Sequence, residues 1–223
     1  MSDTPTRRSP IHSWLEARQP EWRIVNEMSV AIKFQAAEAE KAAMSKLALC
    51  DLSALTKLGV KGRDAENWLS QQSVDLPAGI YESQRLADGG LIARLAADEF
   101  LMESGISNET VPAVAARLTA QDGQVFQVVR QESTFLLIGS DALDVLTQTC
   151  GVDFRETPPL HLVLTRVAGV SCGVLPDPVG DTWACRFWID YTYAVYLWET
   201  LVQICEDLDG SVIGAGCIFP EFR

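Results

Sequence analysis

The clearest pattern of apolar and polar positions occurs twice, at residues 60–76 and again at residues 137–154. Each copy begins with an apolar, strand-like run, ALTKLGV in the first and STFLLI in the second. Each then passes a glycine, Gly62 or Gly139, into a stretch whose apolar side chains recur at helical spacing. The pattern predicts a strand, a glycine turn and a helix, built twice.

An aspartate follows each of these glycines, Asp64 in the first copy and Asp141 in the second. A carboxylate in the first turn of a helix interacts well with free backbone N–H groups and with the positive end of the helix dipole. We therefore expect both aspartates to cap helices rather than to act as catalysts.

A second, weaker repeat links residues 98–118 with residues 181–201, where an acidic residue, an apolar run and polar residues precede a helical stretch. Each half of the chain then holds two helices and several strands. Such a half resembles a split β-α-β (ferredoxin-like) unit, in which both helices cover one face of a largely antiparallel sheet. The predicted class is α+β, with two related halves.

The predicted organisation has three segments. Residues 1–45 form an N-terminal arm and a helix, residues 46–122 the first α+β half, and residues 123–223 the second half. The two halves are expected to pack intimately, either as two halves or as one large domain. The helix follows from the Ala, Glu, Lys and Leu content of EAEKAAMSKLALC, whereas the first dozen residues, with Pro5 and Pro10, are expected to be exposed.

Composition and charge narrow the classes of function. The chain has 223 residues, 48% of them hydrophobic, which is enough for a sizeable core. Its formal net charge of -12 with 18 Lys plus Arg argues against nucleic acid and anionic membranes as partners. The sequence lacks a signal-peptide core and an apolar run of membrane-spanning length, so a soluble, cytoplasmic protein is expected.

Cysteines, histidines and glycines point to no familiar catalytic motif. The six cysteines form no C-x-x-C pair, and several lie in apolar runs, which favours buried free thiols over disulfides. His12 and His161 stand far apart without ligand-spaced neighbours, so neither a metal site nor a histidine triad is predicted. Gly89-Gly90 lacks the spacing of a nucleotide loop and is interpreted as a hairpin turn. No residue is assigned a catalytic role.

Aromatic residues are concentrated at positions 183–198, which hold seven of the eighteen in the chain. Strand alternation and helical spacing assign about half of them to the core. The remainder cannot all face the same interior. They indicate a subunit interface or a pocket that stacks a flat ligand.

Three motifs carry a resemblance to a known family: SPIH at 9–12, LCDLS at 49–53 and VKGRDA at 60–65. They resemble the folate-dependent aminomethyltransferases, a family that includes the glycine-cleavage T-protein and the sarcosine oxidase γ subunit. The chain is closest in length to the γ subunit. The resemblance implies a folate-binding region of two intertwined, similar units without the C-terminal β-barrel of full-length members.

The same resemblance implies a set of pocket residues and a cofactor. Tyr81 matches a pocket tyrosine of the family, and Glu82, Arg85 and Trp183 are expected close to it. Asp181 lies near the position of the family's second pocket acid. These five residues are the predicted cofactor-binding set, and tetrahydrofolate is the implied cofactor.

Both pocket carboxylates of the family are missing from the chain. The family's GG-φ-φ-D-D stretch, whose aspartate contacts folate, is replaced by GGLIAR, so that Ala93 and Arg94 take the acidic positions. The second acid aligns with Ala184. A buried pterin donor without an acceptor costs about 1 to 3 kcal/mol, so ordinary folate binding is expected to be weak.

Three functions follow as alternatives. The first is an accessory subunit, resembling sarcosine oxidase γ, in a complex with a flavin-containing oxidase subunit that demethylates an N-methyl amino acid. The second is a self-sufficient tetrahydrofolate-dependent aminomethyltransferase with a redrawn pocket of Tyr81, Glu82 and Asp181. The third is a small-ligand-binding regulator on the same scaffold. The expected partner is another protein subunit or a second copy of the chain, and whether the protein is an enzyme stays open.

Overall fold

The computed structural model describes residues 7–118 and 124–222. Within these ranges the chain forms six α-helices and fourteen strands, with short 3₁₀ helices among them. The helices are α1 His12–Glu16, α2 Ala37–Lys46, α3 Ala65–Gln71, α4 Thr110–Arg117, α5 Ala142–Thr149 and α6 Ala194–Asp207. The strands are β1 Arg7–Arg8, β2 Glu21–Val25, β3 Met28–Lys33, β4 Ala48–Asp51, β5 Lys57–Lys61, β6 Ser83–Arg85, β7 Leu91–Ala96, β8 Glu99–Glu103, β9 Phe126–Val128, β10 Ser133–Ile138, β11 Val163–Val167, β12 Val170–Pro176, β13 Ala184–Ile189 and β14 Ser211–Val212. The predicted α+β class is confirmed.

The N-terminal residues are less exposed than the sequence predicts. Pro5 lies outside the described residues, but Ser9, Ile11 and His12 are all buried. Strand β1 pairs in parallel with β3, and Ile11 belongs to a hydrophobic core cluster. The prediction of an exposed arm is therefore wrong for residues 9–12, because backbone pairing and apolar burial hold this segment in place.

Contacts within the chain define two compact units. Unit 1 comprises the described residues up to Ala54, Glu132–Pro159 and those from Val163 onward, and unit 2 comprises the described residues of Leu55–Gln131 together with Leu160–Leu162. The predicted boundaries place β4 in the first half and β9 in the second. The structure assigns these two strands the other way round.

Unit 1 contains a six-stranded sheet in the order β11-β12-β13-β10-β4-β14, and a three-stranded sheet in the order β1-β3-β2. Helix α6 buries Leu197, Trp198 and Leu201 in the same cluster as Phe135 of β10. The Trp198 ring meets Phe135 and Trp14 edge-on, with ring centroids 4.9 and 5.3 Å away. Such pairs add about 0.5 to 1.5 kcal/mol to the area they bury, so Trp198 anchors the helix to the sheet.

Unit 2 contains a five-stranded sheet in the order β6-β7-β8-β5-β9, in which all neighbours are antiparallel. Its core combines Val60, Phe100 and Met102 of the sheet with Leu69 of α3 and Val114 of α4. Both helices thus bury their apolar side chains in one cluster with the sheet, as predicted for a split β-α-β unit.

The repeat seen in the sequence extends to the strand register. Lys61, just before the first glycine, pairs with Glu99, and Ile138, just before the second, pairs with Ala184. Each glycine N–H then donates to the carbonyl that precedes the partner strand, at 2.9 Å for Gly62 and 3.0 Å for Gly139. The two copies therefore share this strand register and this glycine hydrogen bond.

Both glycines occupy positions that no other residue fits. Gly62 has φ +138° and Gly139 has φ +127°, a backbone conformation that L side chains rarely adopt. A Cβ atom would lie 1.9 Å from the carbonyl O of Gln124 at the first site and 2.2 Å from that of Lys46 at the second. Each carbonyl stands two residues before a strand, β9 in unit 2 and β4 in unit 1.

These two strands are exchanged between the units. Strand β4 leads along the chain into β5 but pairs with β10, whereas β9 leads into β10 but pairs with β5. Unit 1 therefore contains β4, which leads along the chain into unit 2. Unit 2 contains β9, which leads along the chain into β10 of unit 1. This exchange is the physical reason why boundaries drawn at single points along the sequence misassign β4 and β9.

The two aspartates that follow the glycines take the predicted position but not the predicted hydrogen bond. Asp64 and Asp141 are the N-cap residues of α3 and α5, yet neither side chain accepts a capping hydrogen bond. Their φ/ψ values, near -100° and +7°, differ from the extended conformation that directs an N-cap side chain toward the helix. The Asp141 carboxylate instead accepts a hydrogen bond of 2.7 Å from the Ser140 hydroxyl.

The Gly89-Gly90 pair forms the predicted hairpin turn between β6 and β7. Asp88, which precedes the pair, connects this turn to the start of α4, a contact that the sequence does not indicate. Its carboxylate accepts hydrogen bonds from backbone N–H groups in this turn and at the start of α4. The donors include Gly90 at 3.0 Å, Thr110 at 3.0 Å and Glu109 at 3.2 Å. Burial acts to raise the pKa of Asp88, but these hydrogen bonds outweigh it and place the pKa below its ordinary value.

The cysteines match the prediction of free thiols. Five of the six are buried, and Cys150 is half-buried. Burial raises the pKa of both Cys172 and Cys205 to about 12, so these thiols stay protonated at neutral pH. Across the described residues, no helix has the length and apolar character needed to cross a membrane.

Replacing either repeat glycine is expected to destabilise the protein strongly. Gly62→Ala and Gly139→Ala each combine a forbidden φ with a backbone clash, and we expect a loss of about 3 kcal/mol or more in the free energy of unfolding. Gly89 has a positive φ but open space around it, so Gly89→Ala is expected to lower the free energy of unfolding by about 1 kcal/mol. Gly151→Ala, with open space and no positive φ, is the neutral control. Urea unfolding measures the stability of all four variants. Equal losses of stability in Gly62→Ala and Gly151→Ala would refute the backbone clash at Gly62.

Asp88→Asn is expected to destabilise the protein in a pH-dependent way. Because the folded-state pKa is lowered, the carboxylate contributes stability above the unfolded-state pKa and loses it as the pH falls through the folded-state pKa. We expect a cost of about 1 to 2 kcal/mol at pH 7 that shrinks toward pH 3. Urea unfolding at a series of pH values measures it, with exposed Asp75→Asn as control. A pH-independent cost would contradict the hydrogen-bonding role.

Candidate functional site

The five predicted pocket residues fall into two groups. Tyr81, Glu82 and Arg85 belong to unit 2, and Asp181 and Trp183 belong to unit 1. Each group has its own local geometry, which shows how much of each side chain is available to a ligand.

Tyr81 has a strained backbone and an exposed ring. Its φ is +66°, which is an outlier for a bulky residue, and its side chain is 39% exposed. Two hydrogen bonds of 2.7 Å hold it, from its own N–H to the Arg94 carbonyl and from the Leu162 N–H to its carbonyl. Strain of this kind costs about 1 to 3 kcal/mol and is concentrated at binding sites and active sites, so Tyr81 is the strongest member of the predicted set.

Glu82 lies directly opposite His161. Ser83 donates to the Leu160 carbonyl while Leu162 donates to the Tyr81 carbonyl, which leaves Glu82 and His161 as a non-hydrogen-bonded cross-strand pair. Their side chains therefore emerge on the same face. No pattern in the sequence indicates this pairing, because the two residues are far apart along the chain and neither lies in a regular strand.

The Glu82 carboxylate is already engaged locally. Its Oε2 accepts a hydrogen bond of 2.8 Å from the Gly79 N–H, which closes the turn before Tyr81. Arg85 lies exposed at the end of β6, with Nη1 3.5 Å from the Gly89 carbonyl of the hairpin. Both side chains thus contribute to the loop structure that presents Tyr81.

Arg94 is a central residue of this region that the predicted set omits. Its guanidinium forms two hydrogen bonds to the Glu66 carboxylate, at 2.6 and 3.2 Å. It also donates to the carbonyls of Ala78 at 3.3 Å and Ala97 at 3.0 Å. Helix α3 and the loop before Tyr81 are therefore tied to β7 through one cation. The sequence marks Arg94 only as the residue in place of a family aspartate.

The two unit 1 residues are positioned by a turn and by the core. Asp181 is exposed in the turn closed by reciprocal hydrogen bonds of 3.0 and 3.1 Å between Val179 and Thr182. Trp183 is half-buried, packs against the helix-covered core and offers its carbonyl to Gly139. Trp183 therefore has a structural role whatever else it contacts.

The position of the second family acid is apolar in the structure. Ala184 begins β13 and is fully buried. The buried ionic group nearby along the strand is Arg186, whose Nε donates at 2.6 Å to the buried carboxylate of Asp177. This carboxylate belongs to an ion pair, as a buried charge must.

The aromatic-rich segment divides as predicted. Phe187, Trp188 and Trp198 are buried in unit 1, whereas Tyr191, Tyr193 and Tyr196 are each at least half exposed. The core therefore accounts for about half of the aromatic residues, and the tyrosines form an outer surface.

Two clefts are lined by unit 1 residues, and none of the five predicted pocket residues lines either of them. One of about 330 Å³ is formed by α5 and the following loop, with Leu143, Cys150 and Phe154 in its lining. The other has a volume of about 290 Å³, and its lining includes Glu21, Lys33 and Glu40. Neither cleft is lined by Asp181 or Trp183.

Two solved structures show the class to which this fold belongs. Glycine cleavage system aminomethyltransferase T from Bartonella henselae superposes with a TM-score of 0.75 at 15% sequence identity, covering 95% of this chain and 60% of that one. A chain of the heterotetrameric sarcosine oxidase from Corynebacterium sp. U-96 superposes with a TM-score of 0.66 at 20% identity, covering 92% of this chain and 97% of that one. The fold is aminomethyltransferase-like.

The family follows from the sequence itself. The family model described as GCVT N-terminal domain matches residues 11–219, and the chain belongs to this family. A search of the curated proteins returns no match. The family resemblance read from residues 9–12, 49–53 and 60–65 is confirmed. The chain spans 60% of the length of the Bartonella henselae transferase.

Removing the Arg94 guanidinium is expected to loosen the Tyr81 loop. For Arg94→Ala we expect a loss of about 2 to 3 kcal/mol in the free energy of unfolding, because hydrogen bonds to a charged group are lost. Arg94→Lys keeps the charge but not the two-pronged geometry and should fall in between. Urea unfolding measures stability, and amide hydrogen exchange at Leu162, which should accelerate, measures the loop. Exposed Arg117→Ala is the control, and an Arg94→Ala protein as stable as this control would contradict the role.

Proposed function

We propose that the chain is a non-catalytic, accessory subunit with an aminomethyltransferase-like fold, acting in a complex that demethylates an N-methyl amino acid. The observation that carries this proposal is the position of Arg94 and the hydrogen bonds that its guanidinium forms. By the family resemblance, Arg94 takes one of the two acidic positions of the GG-φ-φ-D-D stretch, whose aspartate contacts folate. Here Arg94 is a cation whose hydrogen bonds go to Glu66 and to loop carbonyls.

A pterin does not fit these residues well. Its amino and ring N–H groups need an acceptor, whereas a guanidinium only donates hydrogen bonds. At the second acidic position, Ala184 supplies a buried methyl group. Each pterin donor left without an acceptor costs about 1 to 3 kcal/mol, so the loss of both carboxylates would severely weaken ordinary tetrahydrofolate binding.

The comparison structures support a subunit role. The Corynebacterium protein is a heterotetrameric sarcosine oxidase, and this chain covers 97% of the chain it matches there. By analogy, the partner proposed here is a flavin-containing oxidase subunit. We place the complex in the cytoplasm and in one-carbon metabolism on the same analogy.

One observation favours the second candidate, a self-sufficient tetrahydrofolate-dependent aminomethyltransferase. Tyr81 combines a strained backbone with an exposed ring, and the Glu82 carboxylate lies beside it. In this alternative, Tyr81 and Glu82 of unit 2 would contact the cofactor. Glu82 would then supply the acceptor that the pterin needs.

Calorimetric titration with tetrahydrofolate separates the two functions. The accessory role predicts no saturable binding up to millimolar ligand and no rise in the unfolding temperature. A functional site would stabilise the protein by about 2.7 kcal/mol at 100 times the Kd. Saturable binding that is weakened tenfold or more by Glu82→Gln, but not by the exposed control Glu199→Gln, would establish the transferase alternative.

The accessory role further predicts that co-expressed flavin-containing oxidase subunits lose activity or stability when the chain is omitted.

A further inference from the structure

Three of the four tyrosines in the chain lie together on the outside of unit 1. Tyr191 and Tyr193 form the 3₁₀ turn that leads into α6, and Tyr196 follows in the first turn of this helix. Their side chains are 50%, 56% and 56% exposed, and Val195 among them is 43% exposed. These four residues are called the tyrosine surface below.

One ring of the tyrosine surface is fixed in place. The Tyr196 hydroxyl donates a hydrogen bond of 3.2 Å to the Ala168 carbonyl, in the turn between β11 and β12. Tyr193 is its neighbour one helical turn earlier. An exposed aromatic ring that is already immobilised loses little conformational entropy when a partner covers it, as in the rigid anchors of protein interfaces.

The area matches the centre of an interface. A tyrosine buries 150 to 250 Å² at most, so three half-exposed tyrosines offer roughly 300 Å². Stable complexes bury about 800 Å² on each partner, with aromatic anchors near the middle and a polar rim around them. The residues around the tyrosine surface therefore decide which partner fits.

The rim of the tyrosine surface is acidic. Residues 187–199, the stretch that contains the tyrosine surface, include two acidic residues and neither lysine nor arginine. Asp190 and Glu199 flank the tyrosines directly, one before the 3₁₀ turn and the other one helical turn after Tyr196. An aromatic centre with one immobilised ring, Tyr196, therefore lies between two acidic residues.

In the part of the chain that the structure describes, no cation forms an ion pair with Asp190 or Glu199. Arg18 approaches Glu206 at 4.0 Å and Lys46 approaches Asp209 at 3.4 Å, both at the opposite end of α6. Arg166 of β11 emerges on the sheet face opposite α6, because Val167 next to it belongs to the helix-covered core. With a net charge of -12, two copies of the chain facing each other here would repel.

We propose that the tyrosine surface is the docking site for a protein partner whose contact face has an apolar centre and a rim of Lys and Arg side chains. This inference rests on the proposed accessory function and names the surface that carries it. The basic rim steers association, and the tyrosines slow dissociation.

The test measures binding of the full chain to immobilised flavin-containing subunits of the N-methyl amino-acid oxidase from the same organism. Tyr193→Ser and Tyr196→Ser are each expected to weaken binding at least tenfold through faster dissociation. Tyr196→Phe, which frees the ring but keeps its area, should fall in between. Glu199→Lys should slow association and reduce its salt dependence. Exposed Phe126→Ser in unit 2 is the control and should bind like wild type, with circular dichroism to verify that each variant is folded.

The outcomes separate this inference from the proposed function. If wild type does not bind the oxidase subunits, the accessory function fails and the docking surface fails with it. If wild type binds and both serine variants bind equally well, the function stands and the docking surface is wrong. A dimer seen by sedimentation that the serine variants dissolve would assign the surface to a second copy of the chain instead.

Discussion

A backbone carbonyl in close contact with a glycine fixes the geometry of both units. The carbonyl of Gln124 contacts Gly62 and that of Lys46 contacts Gly139, in each case at a distance where a Cβ atom has no room. Since the obstacle is backbone, no side-chain rearrangement relieves it. The same glycine ends a strand, starts a helix and positions the strand borrowed from elsewhere along the chain. The contact joins the turn between β5 and α3 to the residues before β9 in unit 2, and the turn between β10 and α5 to the residues before β4 in unit 1.

The sequence predicted the features that depend on the spacing of apolar and turn-forming residues over short stretches of the chain. The doubled strand, glycine and helix, the hairpin at Gly89 and the division of the aromatic residues were all correct, because apolar periodicity and turn chemistry act over a few residues. Strand partners are set over much longer distances, and so β4 and β9 were misassigned. For the same reason the sequence did not show that Asp88 caps a helix beginning at Thr110, or that His161 lies opposite Glu82.

The polar groups of the candidate pocket are largely used by the fold itself. Glu82 accepts from the Gly79 N–H, Arg94 binds Glu66, and the Trp183 carbonyl accepts from Gly139. A ligand that needs one of these groups has to break an existing hydrogen bond and leave its former partner without one. A surface of tyrosines carries no such cost, because its rings are already exposed and one of them is already fixed. The balance of hydrogen bonding therefore favours protein recognition over small-molecule chemistry.

The exchange of β4 and β9 also imposes an order on biosynthesis. Nearly all of unit 2 is one continuous stretch, Leu55–Gln131, with its sheet completed by β9 near the end of that stretch. Strand β4 emerges from the ribosome before any of it, yet its partner β10 emerges only afterwards. For the time needed to synthesise unit 2, β4 has an apolar segment, Ala48–Cys50, and no sheet to join. Long-range pairings of this kind form slowly, and an apolar segment that awaits its partner strand is exposed to aggregation until that strand is made.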